Sequence, residues 1–171
     1  WADGIRIFKL KTGFADHRFD LMRLEKLRDT YGEAASLRID YNQGLPAYDA
    51  IRTIRDLEAF RPTFVEQPVK RHERAALAEI TRAVDVPIMA DESVFDPRDA
   101  LLGAQDRIAD IFSLKINKSG GLRRALEVAA IARAAGIEVY GGCMFETSIA
   151  HAAGTHLMAA VPDLILGCEF Y

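Results

Sequence analysis

The stretch Pro87–Ile88–Met89–Ala90–Asp91–Glu92–Ser93 is a short apolar run, opened by a proline and stopped by two adjacent acids. A buried parallel strand that ends at a working surface reads this way: apolar while both faces are covered, charged where the cover stops. The same order recurs on either side of it. Leu37–Arg38–Ile39 runs into Asp40, Thr63–Phe64–Val65 into Glu66, and Ile111–Phe112–Ser113–Leu114 into Lys115. Charged residues at the carboxyl ends of successive strands converge on one mouth when the strands are parallel and close into a barrel.

Helical stretches fill the intervals. Asp16 to Tyr31 carries Phe19, Leu21, Met22, Leu24 and Leu27 on a helical period and meets Gly32 at the C-cap position. Tyr48 to Phe60, Ala75 to Val84, a short helix opened by Asp96-Pro97 and running to Leu102, Leu122 to Ala135, and Ile149 to Ala160 follow. Before them, Ile5 to Lys11 alternates like a strand with Lys9 and Lys11 on one face, and Ile137 to Tyr140 and Leu164 to Leu166 read as late strands. Asn117 to Gly121 reads as a glycine turn, the alternative being a phosphate cradle at the next helix. The marked strand ends recur roughly every 25 to 30 residues, the unit length of an eight-fold (β/α) barrel. The expectation is an α/β fold, a modified TIM barrel of about seven strands, incomplete here. A doubly wound open sheet is the competing architecture, disfavoured because charged groups end nearly every strand rather than one switch point.

The totals exclude several classes. The chain has 171 residues, 50% of them apolar, and a net charge of −3 with signs interspersed. That is enough for a core, and no basic block points to nucleic acid or a membrane surface. No apolar run is long enough to span a bilayer. Cys143 and Cys168 lack metal or redox spacing and are expected as buried free thiols in a cytoplasmic protein. The chain opens at Trp1 and ends at Tyr171 just after an apparent strand, so it is read as a single-domain piece, residues 1–171, of a larger protein.

Asp40, Glu66 and Asp91 are three carboxylates on three consecutive strand ends, a number and hardness that suit an oxygen-ligated divalent cation. Lys9 and Lys11 precede them and Lys115 follows. Neighbouring ammoniums disfavour each other's charged form, so this pair can hold one amine ready as a base. Amines beside a metal-bound carboxylate suit proton transfer at the carbon alpha to it, through an enolate. His17, His72, His151 and His156 have no metal-ligand spacing and read as helix or loop histidines, while Tyr41 and Phe145 near the proposed mouth suit substrate contact or core equally.

Phe8-Lys9-Leu10-Lys11-Thr12-Gly13, Ile39-Asp40-Tyr41-Asn42, Val65-Glu66-Gln67-Pro68, Ala90-Asp91-Glu92-Ser93, Leu114-Lys115-Ile116 with Lys118-Ser119-Gly120-Gly121, and Tyr140-Gly141-Gly142 with Glu146 resemble the enolase superfamily, in its muconate-lactonizing subgroup. The superfamily is a standard example of a lysine base beside magnesium. The resemblance implies Mg²⁺ or Mn²⁺ on Asp40, Glu66 and Asp91, Lys11 as acid/base with Lys9 tuning it, and Lys115 as the amine on the opposite face. It further implies Asn42 and Glu92 as second-shell or substrate-orienting groups and Glu146 at the seventh strand's mouth. A capping domain, the first barrel strand and a C-terminal tail would lie outside this chain. The implied partner is a small-molecule dicarboxylate, with homo-oligomers expected. Gly141 to Ser148 and Gly167 to Tyr171 look most like the muconate cycloisomerases, although Cys143 stands where many relatives carry threonine. The implied reaction closes cis,cis-muconate to muconolactone. Chloromuconate cycloisomerases, o-succinylbenzoate synthases and racemases or epimerases of acylated amino acids or dipeptides share the same machinery. Outside the subgroup stand a Schiff-base aldolase using Lys115 and a non-catalytic metal-binding fragment.

Overall fold

The computed structural model describes residues 1–169, and the chain divides into two compact units, Trp1–Met89 and Ala90–Tyr171. The first unit begins with strand β1 (Ile7–Lys11), helix α1 (His17–Tyr31), a 3-10 turn at Gly32–Ala34 and β2 (Ser36–Asp40). It continues with α2 (Ala47–Glu58), β3 (Phe64–Glu66), α3 (Arg74–Ala83) and β4 (Ile88–Ala90), the last at the boundary. β1 pairs with β2, β2 with β3 and β3 with β4, all parallel. Helices connect them because a parallel pair needs a crossover.

Phe64, Val65, Ile88, Met89, Leu37 and Ile39 are fully buried, which is why these strands read as continuous apolar runs. α2 buries Ala50, Thr53, Ile54 and Leu57, one stripe at helical spacing. Truncation of its centre, Ile54→Ala, is expected to cost about 2–5 kcal/mol through lost transfer energy and the cavity left behind. The change would be read as a lower urea midpoint at unchanged slope.

α1 ends at the expected Gly32 cap, whose N–H donates to the Arg28 carbonyl, and Asp16, the expected start of the stretch, is its N-cap and accepts from the Phe19 backbone N–H. Its apolar stripe is covered less than the sequence suggests. Leu24 is buried, whereas Phe19 and Met22 are about half exposed. An open groove between α1 and β1 accounts for part of this; Ile7, Phe8, Leu10, Met22 and Leu27 line it.

The second unit holds α4 (Pro97–Asp106), β5 (Ile111–Leu114), a one-turn helix α5 (Ile116–Ser119), α6 (Leu122–Ala134), β6 (Glu138–Gly141) and α7 (Ser148–Ala160). β5 and β6 pair in parallel from Ile111↔Glu138 to Leu114↔Gly141. Asp96 caps α4, accepting from the Arg98 and Asp99 backbone N–H groups, with Pro97 in the first turn where its missing N–H costs nothing. The helix outruns the expected end at Leu102 and stops at left-handed Arg107. The buried face of α6 is Ala125, Val128, Ala129 and Ala132, small enough for close packing.

Three expectations need correction in this unit. Asn117 to Ser119 lie in helix α5, not in a bare glycine turn, and Gly120 (φ +76) terminates it. No strand forms at Leu164 to Leu166; the backbone turns there, and among the described residues the late pairing is one parallel bridge, Gly141↔Cys168. Cys143 is buried as expected but Cys168 is exposed, and among the described residues neither forms a disulfide. Among the described residues no helix is long and apolar enough to cross a membrane.

Candidate active site

Two clusters of charged side chains stand at strand carboxyl ends, one in each unit. In the first unit the register pairs Lys11 with Asp40 and Asp40 with Glu66, so three strands end on one row. Lys9, two residues before Lys11, shares its face. Lys11 Nζ donates to Asp40 Oδ2 at 2.5 Å and to Asn42 Oδ1 at 2.8 Å. Lys9 Nζ lies 2.5 Å from Glu66 Oε2 and 3.6 Å from Asp40 Oδ2. Both acids are 1% exposed, Lys9 is 16% exposed and Lys11 is 49% exposed. A carboxylate buried without a counterion would cost several kcal/mol, on the order of 3–5 when one partner of a buried pair is removed. Two ammoniums against two carboxylates remove that penalty. Of the two amines, Lys11 is the one open to an incoming molecule.

The backbone beyond Lys11 is fixed as well. Thr12 donates both its N–H and its hydroxyl to the Asp40 carbonyl. The Gly13 N–H donates to buried Asp20, and Arg23 donates to the Lys11 carbonyl at 2.8 Å. After Asp40 the chain turns through left-handed Asn42, whose N–H returns to Asp40 Oδ1 at 2.9 Å. Tyr41 is core, not substrate-facing: it is 2% exposed, and burial pushes its phenol well above the usual value.

In the second unit Asp91 directly follows β4 and is held by two lysines. Lys115 Nζ donates to Asp91 Oδ2 at 2.6 Å. Lys118 Nζ donates to Asp91 Oδ1 at 2.6 Å, to the Asp91 carbonyl at 2.8 Å and to the Ser113 carbonyl at 2.8 Å. All three side chains are less than a tenth exposed. Burial alone would raise the Asp91 carboxyl, but the ammoniums of Lys118 and Lys115 outweigh it and hold the group well below the ordinary carboxylate range. Lys115 is the cap residue of α5 and Lys118 lies one turn on, so the short helix returns both amines to one acid.

The sequence reading assigned Lys118 no role. Its signal was a second lysine three residues after the first, just before a helix-ending glycine. The remaining expected residues are less gathered. Glu92 is half-buried in the turn after Asp91. Glu146 is half-buried in the loop after β6, and among the described residues no hydrogen bond or ion pair ties it to Asp91, Lys115 or Lys118. Phe145 beside it is 96% exposed and belongs to no core. His17 pairs with Asp56 at 3.1 Å, away from these clusters in role. Among the described residues no group of three or more His, Cys, Asp or Glu side chains is gathered as a cation cage.

The Enolase C-terminal domain-like family matches the chain over residues 1–171. The chain belongs to this family. Its parallel strands alternating with helices are the family's (β/α) barrel-type domain. A muconate cycloisomerase from Azorhizobium caulinodans superposes with a TM-score of 0.90 at 49% identity, over 96% of this chain and 46% of that one. The L-Ala-D/L-Glu epimerase of Bacillus subtilis (strain 168) is 40% identical over 159 residues, 92% of this chain and 43% of its own length. The structure of its substrate-liganded complex gives a TM-score of 0.93 at 38% identity, over 99% of this chain and 47% of that one. A chloromuconate cycloisomerase of Cupriavidus necator is 41% identical over 162 residues, 95% of this chain and 44% of its length. The chain therefore spans less than half the length of the curated relatives it matches, and those relatives carry the names of isomerases.

Proposed function

We propose that this chain is the barrel portion of a divalent-metal-dependent isomerase that carries a carboxylate substrate through its enolate, with closure of cis,cis-muconate to muconolactone as the reaction. The observation that carries the reading is the pairing of every buried strand-end acid with a lysine: Lys9 and Lys11 with Glu66 and Asp40, and Lys115 with Asp91. The 49% identity to a muconate cycloisomerase points to the substrate class.

Asp40, Glu66 and Asp91 would hold Mn²⁺ or Mg²⁺. Their donors are carboxylate oxygens only, the set these hard cations take, and each acid is buried and already accepts cationic groups. When bound, the cation supplies positive charge against the negative charge that develops on the substrate carboxylate. The chain's own residues do the rest. As one carboxylate oxygen of the substrate bonds to the diene carbon, the π pair moves to the carbon alpha to the other carboxylate. Lys11 Nζ delivers its proton there, forming the C–H bond, and recovers a proton from solvent through its exposed side. Lys9 stays on Glu66 and Asp40 and keeps a positive charge beside Lys11. Asn42 aims the Lys11 amine through its 2.8 Å bond, Lys115 supplies the second amine, and Glu92 and Glu146 orient the substrate.

A dipeptide epimerase is the second reading, favoured by the superposition covering 99% of the chain and by amines on two separate strands. The test uses the intact enzyme with Mn²⁺. Loss of the ultraviolet diene absorbance of cis,cis-muconate, abolished by a chelator, is the expected result. Deuterium exchange at the alpha carbon of an alanyl-glutamate dipeptide without loss of the diene signal would replace the cycloisomerase with the epimerase. Neither activity in a folded, metal-loaded protein would overturn both.

A further inference from the structure

Gly141 closes β6 and Gly142 follows it, its N–H continuing the pairing onto the Leu114 carbonyl, so the two point to opposite faces. The two glycines are therefore glycines for different reasons. A Cβ on Gly141 would lie 2.5 Å from Met158 Sδ and 2.6 Å from Cys168 Cβ, so Gly141 admits helix α7 and the late bridge. A Cβ on Gly142 would lie 2.6 Å from Lys115 Cε, 3.2 Å from Lys115 Cγ and 2.9 Å from Ser113 Oγ. The bare backbone of Gly142 is thus the floor on which the Lys115 arm lies.

From this geometry we infer that Gly142 is a positioning residue for Lys115: the missing side chain leaves the channel through which the Lys115 arm brings its amine to Asp91. This rests on the proposed role of Lys115. Three features single Gly142 out. It is not in the left-handed region, so alanine there carries no backbone strain, and the obstacles are spatial: the Lys115 arm and, at 2.9 Å, Ser113 Oγ. Its N–H pairs with the Leu114 carbonyl at 3.0 Å, which locks its Cα beside the start of the Lys115 side chain. The far end of Lys115 is fixed too, 2.6 Å from Asp91 Oδ2, and the residue is 6% exposed. An arm held at both ends cannot slide off a new methyl group without its amine moving. Ser113, by contrast, can turn its hydroxyl aside, because the Ser113 contact to Lys118 is made by its backbone carbonyl.

The test compares Gly142→Ala, Ser113→Ala/Gly142→Ala and Lys115→Ala/Gly142→Ala with the wild type in the intact Mn²⁺-loaded enzyme. In Gly142→Ala kcat is expected to fall roughly 10²-fold, the usual cost of displacing a reacting group by about 1 Å, with KM and Mn²⁺ affinity changed by less than about threefold. The crystal structure of the variant should show Lys115 Nζ withdrawn from Asp91 Oδ2. Trimming Ser113 should not rescue kcat. Thermal stability supplies a readout apart from activity. Gly142→Ala should lower the melting temperature in the wild-type background and do so far less in the Lys115→Ala background, where the arm is gone. If Gly142→Ala fails to fold, recovery of folding in Lys115→Ala/Gly142→Ala supports the inference. Overturning results are wild-type kcat with Lys115 unmoved, equal destabilisation in both backgrounds, or rescue by Ser113→Ala. An inactive wild type would sink the proposed reaction, while the structure and the stability cycle would still decide the role of Gly142.

Discussion

Replacing Lys11 with alanine in the intact enzyme should lower kcat by about 10²–10⁴-fold, the range for loss of a positioned general acid or base. Mn²⁺ affinity should hold within about threefold or tighten, because a competing positive charge has been removed from Asp40. The geometry separates the two effects. Lys11 is half exposed and sits on the carboxyl-end row, whereas Lys9 is largely covered and engages both Glu66 and Asp40. With Lys11 gone, Asp40 still has Lys9 at 3.6 Å, so no buried carboxylate is orphaned and the fold should hold. Arg23 and Asp20 grip the backbone at Lys11 and Gly13, not the lysine side chain, and their bonds survive the substitution. Circular dichroism, Mn²⁺ titration and steady-state kinetics on one preparation test all three statements. Turnover within about tenfold of wild type would remove Lys11 from the proton-transfer role.

The parts of the site written in the sequence are those where two physical requirements meet at one position. Asp40 and Glu66 stand out because burial on both faces forces an apolar run, and a charge breaks that run at the strand's carboxyl end. The register then puts them side by side with Lys11. Helix limits were legible where caps are chemical, as at Asp16, Gly32 and Asp96-Pro97. Legibility fails where the deciding fact is spatial. Lys118 read only as part of a glycine turn, and α5 turns it back on Asp91. The apolar period of α1 was correct as a pattern but carries no information on what covers it, and Met22 is 52% exposed. Leu164–Ile165–Leu166 has strand composition, yet left-handed Asp163 and Gly167 bracket it with turns, and pairing waits for Cys168. Gly141-Gly142 is the subtlest case. Composition shows two glycines, and only the packing shows that one makes room for a helix and the other for a lysine.

Lys118→Met should be among the most destabilising single changes in the chain, in metal-free protein at neutral pH. Lys118 uses three donors on Asp91 Oδ1, the Asp91 carbonyl and the Ser113 carbonyl, all in a site less than a tenth exposed. An ammonium saturated in this way is a fixed structural cation, unlike the open amine of Lys11. Methionine keeps the length of the arm but takes one donor from each of two carbonyl oxygens and leaves Asp91 with Lys115. Breaking a buried pair outright costs about 3–5 kcal/mol, and Lys115, which stays on Asp91, holds the loss to the lower part of that range. The pH dependence gives the test its sign. The Asp91 carboxyl is depressed in the folded protein, so it binds fewer protons folded than unfolded. Its contribution is fully present above the unfolded value of about 3.9 and is lost as pH falls through the depressed folded value. In Lys118→Met the folded value moves back toward the unfolded one, and the contribution shrinks. The stability gap between wild type and variant should therefore be widest above about pH 5 and narrow as acid protonates Asp91 in both. Urea denaturation with chelator across this range measures the gap. A gap independent of pH would assign the loss to packing alone and remove the Lys118–Asp91 charge pair as its source.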